Sequence, residues 1–362
     1  MNGVFFVYFL IKLSFYVIIC IIKKELKDIR GVCMEHSNFE YKKLLELKKM
    51  SIQELSAYYR KLRSYEYDIN KPLETSRIKK RIYFLTRLIL KIDRLLSGRK
   101  LILFDDKRSD NVSCGKVYAS SHVGRYDIES AMEAINEQVY FVMGDPEETY
   151  RNFEGFFLDK IHGRICMDTG YNISDIFKKY KEGQPLTSHE LELYEEYKKD
   201  RHICEVTCTR RIAAKDNILI YPEGAWNVTP RLTQTLFPGA ARIAINGNGV
   251  IIPIGIVRDK KTYTVNIGSE MNISGACESD VKDITEWLKE NMNSLVGEII
   301  FSSNNVVSRD SLGDSYQNEL DFISDIMSES ENGYTLDIIK NTRYNDPDYP
   351  ENVFGFQYIK RL

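Results

Sequence analysis

From Leu101 onward the chain alternates short apolar runs with longer stretches of helical periodicity, and this alternation limits the available folds more than any other feature. Lys116 to Ser120 (KVYAS), Val139 to Met143 (VYFVM), Arg164 to Met167, Asn217 to Tyr221 (NILIY), Val250 to Val257 (VIIPIGIV) and a YTVNI run read as strands. Asp127 to Asn136, Glu147 to Lys160, Ser188 to Lys215, Pro238 to Asn246 and the region around Asp280 to Leu295 read as helices. Such alternation predicts an α/β fold, a largely parallel sheet flanked by helices. In these sheets ligands bind where loops leave the carboxyl ends of strands, so the residues after each strand are the candidates for chemistry.

The N-terminus adds a different element. Val4 to Ile22 is apolar apart from Lys12, and at helical rise it is about 28 Å long, near the hydrocarbon thickness of a bilayer. Lys23, Lys24, Lys27 and Arg30 follow at once, which points that end to the cytoplasm. A spanning or re-entrant anchor is the expectation; an interfacial helix, or a start at Met34, are the alternatives. Arg77 to Leu96 is a basic amphipathic helix with apolar positions at Ile78, Ile82, Leu85, Leu88, Ile89 and Ile92. It suits an anionic membrane face or the flank of the main domain equally. The expected division is 1–30 anchor, 31–100 helical basic region, 101–300 catalytic domain and 301–362 tail packed on that domain. Residues 302–318, rich in Ser, Asn and Asp, read as a loop.

Composition narrows the function. A net charge of −2 argues against a dedicated nucleic-acid binder, and a mean hydropathy of −0.34 excludes a polytopic membrane protein. Seven cysteines do not form a secreted disulfide framework. His202, Cys204 and Cys208 lack a second pair to complete a tetrahedral metal site, so no metal is expected.

Two strand ends carry the chemistry. After KVYAS comes Ser121-His122-Val123-Gly124-Arg125-Tyr126-Asp127. A turn into a helix at Asp127 would set its carboxylate against the His122 ring, fixing the tautomer and making the imidazole a general base. The alternative is a helix-capping Asp127 with a surface histidine. After NILIY comes Tyr221-Pro222-Glu223-Gly224-Ala225-Trp226, where Glu223 can accept a hydroxyl and Gly224 lets it approach the backbone; a plain polar turn is the alternative. Pro253 interrupts the VIIPIGI run, which predicts an edge or bulge and an unpaired carbonyl beside a pocket.

The order HVGRYD, GRICMD, YPEG and VIIPI over residues 100–270 resembles the glycerolipid acyltransferase family, the lysophospholipid acyltransferases. The resemblance implies that His122 deprotonates the acceptor hydroxyl, that Asp127 orients it, that Glu223 and Gly224 bind the acceptor, and that Pro253 belongs to the acyl-donor pocket. The family's second block ends in Arg and its third continues into Thr-Arg. This chain has Thr169 and Ala225-Trp226 there, so Arg164, Arg210, Arg211 or Arg231 would substitute as the phosphate's partner, with Arg125 inside the first block, or Trp226 would stack on a flatter acceptor such as a sugar ring.

The expected activity is a membrane-associated O-acyltransferase at the cell membrane, its catalytic domain facing the cytoplasm. It needs no cofactor beyond acyl-CoA or acyl carrier protein as co-substrate, and its acceptor is a small amphiphilic hydroxyl compound: a lysophospholipid, a related lipid, or a surface glycan. Two rivals are a membrane glycosyltransferase, suggested only by Asp346-Pro347-Asp348, and an inactive membrane scaffold.

Overall fold

The computed structural model describes residues 87–302 except 89, 93, 96, 110–111, 124–125, 144–163, 168–173, 225–235 and 260, together with Lys49, 306–308 and 358–360. The chain divides into two compact units, Met1–Lys61 with Pro146–Phe157 and Leu62–Asp145 with Leu158–Leu362. Apart from Lys49, the described residues belong to the second. Residues 4–22 and 147–160 lie outside the described set; among the described residues no helix is long and apolar enough to cross a membrane.

Eight strands make one sheet: β1 (Lys100–Asp106), β2 (Lys116–Ser120), β3 (Val139–Met143), β4 (Arg164–Cys166), β5 (Asn217–Ile220), β6 (Val250–Asp259), β7 (Thr262–Ile267) and β8 (Met271–Asn272). Their order is β1-β7-β6-β2-β5-β3-β4, with β8 beside the start of β6. β2 to β6 are mutually parallel. β7 turns straight back from β6 and must run antiparallel, because a connection of two residues leaves no room for a crossover. β1 pairs parallel to β7, so it too opposes the central set, and β8 runs antiparallel to β6. The largely parallel expectation therefore holds for five strands, and the sheet as a whole is mixed.

Side chains of alternate residues build two cores. On one face Val117, Ala119, Ile218, Ile220 and Ile251 meet α3 (Ser188–Ala213), α4 (Gly239–Gly247) and α5 (Val281–Phe301) through Cys208, Ile212, Ala244, Leu288 and Met292. On the other, Tyr118, Leu219, Ile252 and Ile254 meet α1 (Asp127–Ile135) through Ala131, Met132 and Ile135, with Leu90 beyond them. Among the described residues of 87–95 Leu90 is buried, whereas Leu88 and Leu95 are exposed. α2 (Ser174–Lys181) packs through Ile176 on Tyr197 of α3.

α3 returns to β5 through a three-residue turn, with the Asp216 N–H bonded to the Arg211 carbonyl at 2.9 Å. Its last turn presses on the edge where the parallel strands begin. A Cβ on Gly115 would lie 2.4 Å from the Ile212 carbonyl oxygen, so only glycine fits there. Charges at this edge are paired. Lys116 bonds Glu137 at 2.7 Å, Arg211 bonds Asp216 at 3.2 Å, and Arg108 bonds Asp106 at 2.6 Å and the Tyr118 hydroxyl at 2.9 Å. The Arg108 guanidinium holds the Asp106 carboxyl below its ordinary range.

Pro253 lies inside β6, opposite Ala119 of β2, and not at a sheet edge. Its carbonyl accepts the Gly268 N–H at 2.9 Å, which corrects the expectation of an unpaired oxygen. The fold tolerates it because β7 pairs β6 only from Ile254 upward and β8 only at Val250 and Ile251, so the missing N–H faces the gap between them. Within the 302–318 stretch expected as a loop, residues 306–308 form β9 (Val306–Ser308), which pairs antiparallel with β10 (Tyr358–Lys360), a partner fifty residues away that no local signal announces; residues 303–305 and 309–318 lie outside the described set.

Candidate active site

β2, β5 and β6 are neighbours, and their carboxyl ends bring the first and third sequence blocks together. Past the end of β2, the Ser121 N–H still donates to the Ile254 carbonyl at 3.1 Å, and Ser121 Oγ accepts the Ile256 N–H at 2.7 Å. The chain then leaves the sheet at His122 and re-enters regular structure at Tyr126, the residue before α1. Asp127 opens that helix, fully buried.

Asp127 Oδ2 lies 2.8 Å from His122 Nδ1 and accepts the Val123 N–H at 2.6 Å. A carboxylate oxygen is an acceptor, so the network assigns a proton to Nδ1, which in the neutral ring leaves the Nε2 lone pair as the acceptor. The His122 side chain is 18% exposed. Behind it the Tyr221 ring lies 4.4 Å away, centroid to centroid, at 33°. Burial pushes the Tyr221 phenol well above its ordinary range; the nearby charges of Asp127 and Glu129 add to the shift and Ser120 opposes it. The imidazole thus stands between a buried carboxylate and a neutral ring.

Glu223 completes the arrangement in an unexpected way. It is fully buried, and its Oε1 accepts the His122 backbone N–H at 3.1 Å. A residue 101 positions downstream therefore holds the backbone of the histidine whose ring Asp127 holds. Glu223 reaches it because Gly224 closes a turn, its N–H on the Tyr221 carbonyl at 3.1 Å with φ at +67°. A Cβ on Gly224 would lie 2.6 Å from the Phe237 ring, which is itself tied to this turn by its N–H on the Pro222 carbonyl at 2.8 Å. Both the left-handed backbone and the close ring require glycine.

Of the expected site residues, His122, Asp127, Glu223 and Gly224 come together. Arg125, Trp226, Ala225 and Thr169 lie outside the described residues, as do Asp346 and Asp348. Arg164 opens β4, the last strand of the sheet, paired with Phe141 of β3. Pro253 does not join the dyad, since its ring packs toward Gly268 on the face covered by α5. Cys204 and Cys208 are buried in α3 while His202 is exposed, so the three do not converge. A hydrogen bond from Cys204, then burial, raises the Cys208 thiol well above its usual range. Sequence reasoning missed Ser121 and Tyr221, although each flanks a block that it singled out.

No protein-family model matches the chain, and no curated protein matches it. Among solved structures, the chain is similar to the 1-acyl-sn-glycerophosphate (LPA) acyltransferase PlsC of Thermotoga maritima. The TM-score is 0.44 and the identity 10%, over 67% of this chain and 88% of that one. This is a likeness of shape, and it carries no residue's role.

Proposed function

We propose that the protein is an O-acyltransferase that moves a fatty acyl group from a thioester, on coenzyme A or an acyl carrier protein, to a hydroxyl of a lysophospholipid or related amphiphile. The observation that carries this reading is the His122 ring held through Nδ1 by buried Asp127 at the end of a parallel strand. The order of the sequence blocks around it supports the reading.

In the proposed reaction His122 Nε2 takes the proton of the acceptor hydroxyl as its oxygen attacks the thioester carbonyl. Asp127 stabilises the imidazolium that forms. The tetrahedral intermediate then expels the thiolate, the C–S bond breaks, and the imidazolium returns its proton to the sulfur. The products are an ester and a free thiol, and no acyl-enzyme is needed. Glu223 keeps the histidine backbone from swinging away during both proton transfers. Residues 4–22 and the basic stretch 77–96 support a place at the membrane, where acceptor and product both reside.

The test is acyl transfer from labelled acyl-CoA to lysophosphatidate, with detergent-solubilised protein beside its His122→Ala variant. Ester product that the variant loses is the expected result. Equal product from both proteins overturns the mechanism, and no product with any lipid acceptor overturns the function.

A further inference from the structure

Arg201 lies near the middle of α3, a helix whose charged residues otherwise read as a solvated face. Its position relative to the site follows from chain geometry. α3 packs antiparallel to β5 through the short turn at 214–216, with its last residues at the starting edge of the sheet. Ala213 back to Arg201 is about 18 Å of helix, and Asn217 forward to Tyr221 is about 13 Å of extended chain, after which the 221–224 turn begins. Arg201 is thus carried toward the same end of the sheet as the Glu223-Gly224 turn.

Side-chain contacts agree. The Arg201 guanidinium carbon lies 5.4 Å from the centroid of the Phe237 ring, the same ring that closes on Gly224. It lies 5.5 Å from the Tyr197 ring, and Nη1 donates to the Tyr197 hydroxyl at 2.5 Å. Two aromatic groups thus hold the cation in place. Among the described residues no carboxylate lies within ion-pair distance of it. The contrast with Arg94, Arg108, Arg211 and Arg242 is direct, since each of those has an Asp or Glu partner. A partly buried guanidinium with one of its five N–H groups on a neutral phenol keeps a planar fork of donors for an anion with two oxygens.

We infer that Arg201 reads the phosphate of the acceptor, binding it beside the Glu223-Gly224 turn while the acceptor hydroxyl faces His122. This inference rests on the proposed acyl transfer. It makes Arg201 the residue that separates phosphate-bearing acceptors from neutral ones, a role that no sequence block marks.

The experiment compares wild type with Arg201→Gln and Arg201→Lys on lysophosphatidate and on monoacylglycerol, with KM for acyl-CoA measured in parallel. A charge-assisted hydrogen bond contributes about 1.5–3 kcal/mol, so Arg201→Gln should raise the KM for lysophosphatidate by roughly 10- to 150-fold. It should leave kcat, monoacylglycerol and acyl-CoA unchanged. Arg201→Lys, which keeps the charge and loses the fork, should fall between. An unchanged KM for lysophosphatidate, or an equal rise for both acceptors, overturns the inference. A rise confined to acyl-CoA also overturns it, because the cation then serves the donor's phosphates.

A second measurement separates this inference from the reaction itself. Glycerol 3-phosphate should raise the Tm of wild type and not of Arg201→Gln, whether or not acyl transfer occurs. Failure to bind wild type sinks the inference; binding without transfer sinks only the reaction.

Discussion

The two ends of the parallel strands use charge differently. Where the strands begin, Lys116 meets Glu137, Arg211 meets Asp216 and Arg108 meets Asp106, each cation against a carboxylate. Gly115 closes there on the backbone of α3. Where the strands end, buried Asp127 and Glu223 are turned on a histidine, one on its ring and one on its backbone. Carboxylates that neutralise cations hold a structure together. Carboxylates aimed at a ring nitrogen and an amide hold a reagent in place. The same sheet thus has a closed end that secures the fold and an open end that secures one imidazole.

Substitutions at the two ends should therefore separate stability from turnover. The largest effect belongs to His122→Ala and Asp127→Asn, each expected to lower kcat about 10²–10⁴-fold, by loss of the base or by the wrong tautomer. For His122→Ala, Tm should stay within a few degrees. At the closed end, Gly115→Ala should lose about 1–3 kcal/mol by overpacking against Ile212 and leave KM and kcat of the folded fraction intact. A Gly115 variant with normal Tm and low kcat would erase the distinction.

Ser121→Ala comes next. It leaves the buried Ile256 N–H without its oxygen, a loss of about 1–3 kcal/mol seen in denaturant titration, and should also reduce kcat because His122 is the next residue. Gly224→Ala tests the turn against a control: Gly183 has nearly the same φ, +68°, but nothing near its Cβ. Gly183→Ala should cost about 1 kcal/mol in conformational strain alone, while Gly224→Ala should cost more and also impair the acceptor KM.

The smallest effect is at high pH. Tyr221 is held above its ordinary value of 10 by burial, so both states are protonated below pH 10 and its contribution there is complete. Above pH 10 the unfolded chain ionises first and stability falls. Tyr221→Phe should flatten the decline of Tm above pH 10; an unchanged slope would show that this phenol does not control it.

The dyad was legible because a spacing of five across a strand-to-helix turn is a local property, fixed by residues 120–127. The strands were legible for the same reason, since Val117, Leu219 and Ile252 sit in short apolar runs. The direction of β1 was not, because its apolar run Leu101–Phe104 says nothing of β7, 160 positions on. Glu223 was singled out, but its target was hidden: the His122 N–H comes within reach only when β2 and β5 pair in register. Pro253 misled because a proline in a buried run reads as an edge, and the relief comes from two partners that stop short of it. Arg201 had no local signal at all, since only the length and pitch of α3 put it against Phe237, the ring that closes on Gly224.

The reversed direction of β1 has a consequence for how the molecule is held. β1 starts at the open end of the sheet: the Lys100 N–H donates to the Lys261 carbonyl at 2.9 Å, and buried Arg99 lays its guanidinium 3.9 Å from the centroid of the Tyr126 ring, next to Asp127. β1 therefore begins at the mouth of the site and not behind it. A tug on Arg99 would therefore be felt at Tyr126 and the start of α1, one residue from the carboxylate that holds the His122 ring.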